Sequence, residues 1–388
     1  MHVAWWYWPL CYLCGAVPFA WIIARAKGVN LFQVGSGNIG ATNLGRTLGR
    51  KYGILCFLLD FLKGAVPVGI ASLFAVADRT VWGIPQLLNV GAAVATFAGH
   101  LFPIYLRFRG GKGVAAGLGT ICVLVPGPAA ITGLFWIATT TSTRMISAGS
   151  MVGVVVLWLS RYFSTPEWFS LPNLATSTYL LVGGAFVLLK HYPNARRMLA
   201  GKENLLKDTS MNRSLSRSIH VMALGLWFGS GVMFNLISAP SIFRSFEEVV
   251  QTAPNDRTVG IDITANGTAE QKKALSSALA GAAVGPIFPK YFILHAVCAG
   301  LALITAYSMR HHGNFRWIII AAGNLTVWAG WLISGKVADL RLERLSDPSL
   351  KEAFAQWHLL SLGLSLLTIV ISGIALGFAG NLPSQQQK

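Results

Sequence analysis

Long apolar stretches alternate with short polar, glycine-rich or basic segments along all 388 residues of the chain. The apolar stretches run near 4–25, 52–76, 86–106, 114–126, 128–142, 145–163 and 173–190, then near 217–239, 286–309, 316–335 and 357–379. Many approach the roughly 20 apolar residues that cross a bilayer as a helix. They are continuously apolar rather than alternating, which disfavours a closed β-barrel. The pattern predicts an all-α, polytopic integral membrane protein, with about seven transmembrane helices in an N-terminal unit and about four in a C-terminal one. Pro126-Gly127-Pro128 reads either as a turn between two helices or as a kink in one. A polar stretch rich in Ser and Asn follows Glu203, dividing the chain into a membrane domain over 1–205, a linker over 206–216 and a four-helix membrane domain over 217–388.

Composition agrees. Charged residues make up 12% of the chain and hydrophobic ones 54%, whereas a soluble domain carries roughly 25% charged residues. The formal net charge of +17 fits basic loops facing the cytoplasm and anionic headgroups. Nucleic acid is not an expected partner, because no basic arm or soluble domain exists to carry it. Cys11 and Cys14 form a C-x-x-C inside an apolar helix with no second pair, which reads as packing, and no metal site or cofactor is expected. The first apolar run lacks a basic leader and is followed by Arg25 and Lys27, as an uncleaved helix with its N-terminus outside would be. Basic residues then gather in alternate loops: Arg46, Arg50 and Lys51; Arg107, Arg109 and Lys112; Arg144; and Lys190 to Lys207. These loops are expected to face the cytoplasm together, with the long loop near 240–284 outside.

Three segments do not read as lipid packing. The first, SGNIGATNLGR (Ser36 to Arg46), places Gly37 and Gly40 among small polar side chains. It approaches a phosphate-binding P-loop, but alanine stands where the P-loop lysine would reach the phosphates, which excludes an NTPase. The second, His100-Leu-Phe-Pro through Arg109-Gly110-Gly111-Lys112-Gly113, joins two helices. Glycine N–H groups at a helix start, with a lysine beside them, suit an anion. The third, Lys190-His191-x-x-Asn194-x-Arg196-Arg197, puts His191 and Asn194 on one helix face. Asp60 and Lys63 lie at i,i+3 inside the second helix, where an ion pair is at least as plausible as a catalytic role. His220, His295 and His358 read as capping or interfacial side chains rather than haem ligands.

SGNIGATN-x-x-R, GH-x-FP with GGKGVA, KH-x-x-N-x-x-R-x-x-x-G-x-E and LLDFLKG together resemble the motifs of the acyl-phosphate:glycerol-3-phosphate acyltransferases of bacterial membranes, over about residues 8–205. Arg109, Ala116 and Lys190 depart from the residues common there. The resemblance implies transfer of a fatty acyl group from acyl-phosphate to the 1-hydroxyl of sn-glycerol 3-phosphate at the cytoplasmic face of the inner membrane, the first acylation of phospholipid synthesis. It implies catalytic roles for Ser36, Arg46, Lys112, His191 and Asn194. It implies substrate or phosphate contacts from Gly37, Asn38, Gly40, Thr42, Asn43, His100, Arg109, Gly110, Gly111 and Gly113. A transporter of a phosphorylated or anionic solute is the competing reading of the two glycine-rich loops. Residues around His220–Phe234 loosely resemble an uncharacterised family of small membrane proteins, which implies no activity.

Overall fold

The helices follow the apolar runs, with their ends set by proline, glycine and side-chain caps. The computed structural model describes residues 3–75, 80–81, 84–165, 167–207, 209–252, 267–308, 314–343 and 347–380. It divides into two units, Met1–Asp208 and Thr209–Lys388.

In the first unit, α1 (Val3–Ala16) and α2 (Phe19–Ala26) share one apolar run broken at Val17-Pro18, where proline cannot donate to the helix ladder. An irregular loop leads to the short α3 (Ala41–Leu48), and Gly49 separates it from α4 (Arg50–Ala75). A two-residue ribbon pairs Thr80–Val81 with Ile84–Pro85, the one departure from an all-helical fold among the described residues. Then come α5 (Leu87–Leu101), α6 (Val114–Leu124), α7 (Pro126–Thr143), α8 (Ile146–Ser164) and α9 (Leu171–Leu199). At Pro126 the chain forms two helices rather than one kinked helix. Val125 leaves helical geometry, α6 packs on α4, and α7 packs on α8.

The second unit holds α10 (Ser210–Val232), α11 (Ala239–Thr252), α12 (Ala269–Val284), α13 (Ile287–Ser308), α14 (Asn314–Glu343) and α15 (Lys351–Gly380). Two sequence expectations are corrected here. The linker is shorter than 206–216, because the Thr209 hydroxyl accepts from the Asn212 N–H and caps a helix that starts at Ser210. The helix expected to end near 239 continues to Thr252 through a π-helical turn, Met233–Ser238, just ahead of Pro240. The loop placed near 240–284 is therefore helical at both ends, and 253–266 lie outside the described residues. Within this unit His220 Nδ1 contacts Thr305 Oγ1 at 2.9 Å, His295 Nε2 contacts Ser230 Oγ at 3.1 Å, and the His358 ring stacks on Phe354.

Among the described residues nine helices are long and apolar enough to cross a membrane. The shortfall from eleven lies at α6 and α7. α6 has 11 residues and rises only ~16 Å at 1.5 Å per residue, about half a bilayer core. α7 carries the run Thr139 to Thr143 at its C-terminal end.

Helix contacts in the first unit rest on paired glycines. A Cβ on Gly15 would lie 2.1 Å from the Thr96 carbonyl, and one on Gly99 would lie 2.2 Å from the Tyr12 carbonyl, so α1 and α5 touch backbone to backbone. Gly64 against Ala116 O (2.2 Å) and Gly119 against Phe61 O (2.1 Å) do the same for α4 and α6. Lipid offers apolar side chains no hydrophobic gain, so such close approach supplies the dispersion contacts that hold membrane helices. Gly119→Leu is expected to destabilise the detergent-solubilised protein by about 1–3 kcal/mol, read as a lower unfolding midpoint. Gly69→Leu on α4, the helix that Gly119 packs against, is the control, since a Cβ there would meet nothing within 4 Å. Equal midpoints for the two variants would contradict this packing scheme.

Candidate functional site

A polar cavity of about 100 Å³ collects the first unit's chemistry. Its wall includes Ser36, Asn38, Gly40, Thr42, Asn43 and Arg46 from the first segment, His100, Lys112 and Gly113 from the second, and His191 and Asn194 from the third. All five residues singled out as catalytic from sequence lie on it.

Two helix N-termini open onto this cavity. α3 starts at Ala41 with Gly40 at its N-cap, and α6 starts at Val114 with Gly113 at its N-cap in the left-handed region (φ 87°). Neither has a side-chain cap. The first-turn N–H groups and the positive ends of both dipoles are thus offered to an anion. Arg46 and Lys112 add full charges beside them.

A carboxylate organises the cations. Glu203 Oε1 accepts from Asn194 Nδ2 at 2.8 Å and from Ser147 Oγ at 3.1 Å, and Oε2 accepts from Arg197 Nε at 3.0 Å. Lys112 Nζ in turn donates to Asn194 Oδ1. Arg46 Nη2 donates to the Asn204 carbonyl at 3.2 Å, next door to Glu203. Burial would raise the Glu203 carboxyl, but the bonds from Asn194 and Ser147 and the Arg197 charge outweigh it and hold it below its ordinary value. Lys112 moves the other way from a usual lysine. Burial foremost, with repulsion from Arg197, brings its pKa down to about 8.

His191 is oriented by its own helix: Nδ1 lies 2.8 Å from the Val187 carbonyl. A carbonyl only accepts, so this bond places the proton on Nδ1 and leaves Nε2 as acceptor in the neutral ring. His100 presents Nδ1 to Asp60 at 3.9 Å, and its Nε2 lies against Gly111. Asp60 lines the cavity and pairs with Lys63 at 2.8 Å; Lys63 also donates to the Val17 carbonyl at 2.7 Å, at the break between α1 and α2. The pair therefore ties the broken helix to the cavity wall.

Some expected contacts have different roles. Gly37, Arg109, Gly110 and Gly111 do not line the cavity. Gly37 turns the loop at φ 68°, its N–H donating to Val34 O. Gly110 and Gly111 let the loop press on α5: a Cβ on Gly110 would lie 2.3 Å from Leu101 O, and one on Gly111 would lie 2.4 Å from the His100 ring. Arg109 is exposed, just past the left-handed turn at Arg107 and Phe108. Asn43 lines the cavity, but its amide is committed to the backbone: Oδ1 accepts from Ser36 N at 3.0 Å, and Nδ2 donates to Val34 O at 3.0 Å. It folds the Ser36 loop. Phe57, Trp136, Ser147, Ser150 and Glu203 also line the cavity and were not among the expected site residues. Among the described residues no three His, Cys, Asp or Glu side chains gather as a metal site would require.

The polar cavity adjoins an apolar slot of about 300 Å³ between α6, α7, α8 and α9, and Phe57, Gly113, Val114, Trp136 and Ser150 line both. The fold is that of a polytopic helical membrane protein, with a polar cavity at two uncapped helix N-termini beside an apolar slot. Comparison with known proteins gives the family. The family model described as glycerol-3-phosphate acyltransferase matches residues 5–201. The glycerol-3-phosphate acyltransferase of Aquifex aeolicus is 36% identical over 193 residues, covering 50% of this chain and 94% of that protein. That of Thermotoga petrophila is 37% identical over 210 residues, covering 53% and 100%. A crystal structure of PlsY (YgiH), an integral membrane glycerol 3-phosphate acyltransferase in its glycerol 3-phosphate form, is 34% identical and spans 53% of this chain and 96% of that one, with a TM-score of 0.47. The chain belongs to the glycerol-3-phosphate acyltransferase family and is an integral membrane acyltransferase.

The lowered Lys112 has a consequence for pH. Its ammonium is present below about 8 and lost above, so anion affinity should fall as pH rises through that value; an ordinary lysine would hold on until about pH 10. Phosphate titrations by calorimetry should show this fall in the native protein, and Lys112→Arg should remove it. Native affinity that stays flat from about pH 7 to about pH 9.5 would contradict the assignment.

Proposed function

We propose that the first unit transfers a fatty acyl group from acyl-phosphate to the 1-hydroxyl of sn-glycerol 3-phosphate, releasing lysophosphatidic acid and phosphate. The observation that carries this is that the polar cavity and the apolar slot adjoin, sharing five lining residues. A donor with an anionic head and a fatty tail fits that pair of spaces, and the head's phosphate would sit at the α3 and α6 N-termini beside Arg46 and Lys112. Acyl-phosphate is a mixed anhydride with a good leaving group, so attack of the glycerol hydroxyl on the acyl carbon, with rupture of the acyl carbon–oxygen bond to phosphate, needs no enzyme nucleophile. Positioning and charge stabilisation do the work. The hydroxyl proton passes to His191 Nε2 or to a substrate phosphate. Lys112→Ala should lower transfer about a hundredfold, the ~3 kcal/mol scale of one preorganised charge contact, measured as lysophosphatidic acid from purified enzyme. Native turnover by folded Lys112→Ala would reject the site.

The same reading places the cavity at the cytoplasmic face of a bacterial inner membrane. α6 and α7 are consecutive, so whether or not they cross, the basic loops at 36–51, 107–112, 144 and 190–207 stay on one side. Single cysteines at Ser36 and Ser164, in a background lacking the five native cysteines, test this with an impermeant thiol reagent on intact cells. Labelling at Ser164 alone is expected; labelling at Ser36 alone would invert the topology.

The second unit is proposed as a separate membrane domain, dispensable for the chemistry, because every cavity residue precedes Asn204. A chain ending at Asp208 should insert and convert glycerol 3-phosphate. A monodisperse but inactive truncation would show that the site needs groups from beyond that point.

A further inference from the structure

Five glycines on four helices line the apolar slot beyond Gly113: Gly117 on α6, Gly133 on α7, Gly153 on α8, and Gly183 and Gly184 on α9. Helix glycines in membranes usually serve close packing, and Gly184 does so, since a Cβ there would lie 2.7 Å from the Trp158 indole. Three of the others do not. A Cβ on Gly133 would meet nothing within 4 Å. One on Gly183 would reach only ring edges of Tyr179 and Phe97, at 3.7 and 3.8 Å, and one on Gly153 only the Thr132 methyl, at 3.4 Å. Each weakens its helix relative to alanine and gains no helix contact in return. What their missing side chains leave is the slot itself.

Their levels along it can be counted from the wall shared with the polar cavity, which marks the reacting end. Gly153 lies three residues past Ser150 and Gly133 three before Trp136, each ~4.5 Å along its helix. Gly183 lies eight residues before His191, ~12 Å. Beyond it sits Tyr179, held by a 2.6 Å hydroxyl contact with Thr120 and an edge-on contact with Phe97. That pairing satisfies the buried hydroxyls of both residues, so the deep end presents ring carbon rather than a polar group.

We infer that Gly133, Gly153 and Gly183 form a gauge for the donor's acyl chain, with Tyr179 at its deep end. The inference rests on the acyl-phosphate donor proposed above. A side chain added at Gly153, only ~4.5 Å along, obstructs the chain near its head and so affects every donor longer than a few carbons. One added at Gly183 obstructs only chains long enough to reach it. Removing the Tyr179 ring lengthens the slot.

The test is kcat/KM of the full-length enzyme for octanoyl, dodecanoyl and hexadecanoyl phosphate with saturating glycerol 3-phosphate. Gly183→Leu should lose about tenfold or more on the hexadecanoyl donor, the scale on which apolar pockets discriminate, while octanoyl phosphate stays within about twofold. That retained activity also reports folding. Gly153→Leu should lose the dodecanoyl and octanoyl donors as well, and Tyr179→Ala should shift preference towards longer chains. An unchanged chain-length profile in Gly183→Leu, or equal loss on all three donors together with no shift in Tyr179→Ala, overturns the gauge. A native enzyme inert with every acyl-phosphate overturns the donor reading and the gauge with it, whereas an active native enzyme with unresponsive variants overturns the gauge alone.

Discussion

The Glu203 carboxylate is the contact on which the site depends. Arg46, Lys112 and Arg197 come from three separate segments and would repel one another at the edge of a low-dielectric slab. Glu203 bonds Asn194, Ser147 and Arg197 directly and reaches Lys112 through Asn194. One negative charge therefore joins the loop after α5, the start of α8 and the end of α9. It also leaves net positive charge facing the cavity, which is what a phosphate needs. Burial first and repulsion from Arg197 second already bring Lys112 down to about 8, and without the carboxylate opposing them its ammonium would be held less tightly still.

The second constraint is steric. A polar cavity can meet an apolar slot only where helices converge at one level and diverge at another. The convergences are glycine contacts, Gly15 and Gly99 between α1 and α5 and Gly64 and Gly119 between α4 and α6. The slot on the other side is flanked by glycines whose missing side chains touch almost nothing. One residue type thus serves opposite ends: backbone contact where two helices must touch, and open volume where a chain must pass.

Much of the site was legible in the sequence because its polar groups sit in short, dense segments at helix ends. Ser36, Asn38, Thr42, Arg46, Lys112, His191 and Asn194 all reached the cavity wall. Other positions show why residue type alone does not fix a role. Gly110, Gly111 and Asn43 are the residue types that bind phosphate, but the same backbone freedom and amide chemistry also fold the loops, and only the contacts tell the uses apart. Phe57 and Trp136 carry no signal at all, since an apolar ring in a membrane helix looks the same whether it faces lipid or ligand. Ser147 and Ser150 did leave a trace, a Ser-x-x-Ser pair just after Arg144 at a helix start. The extent of α10 was hidden by its polar first turn, which reads as linker until Thr209 is seen to cap it.

The proposed donor, acyl-phosphate, would place its phosphate in the anion cavity and its chain in the apolar slot. The most direct measurement offers the purified full-length protein glycerol 3-phosphate with either palmitoyl phosphate or palmitoyl-CoA, following lysophosphatidic acid and free phosphate together. Lysophosphatidic acid and phosphate should form in equal amounts from palmitoyl phosphate, with no lysophosphatidic acid from palmitoyl-CoA. Product from palmitoyl-CoA with palmitoyl phosphate inert would contradict that donor assignment.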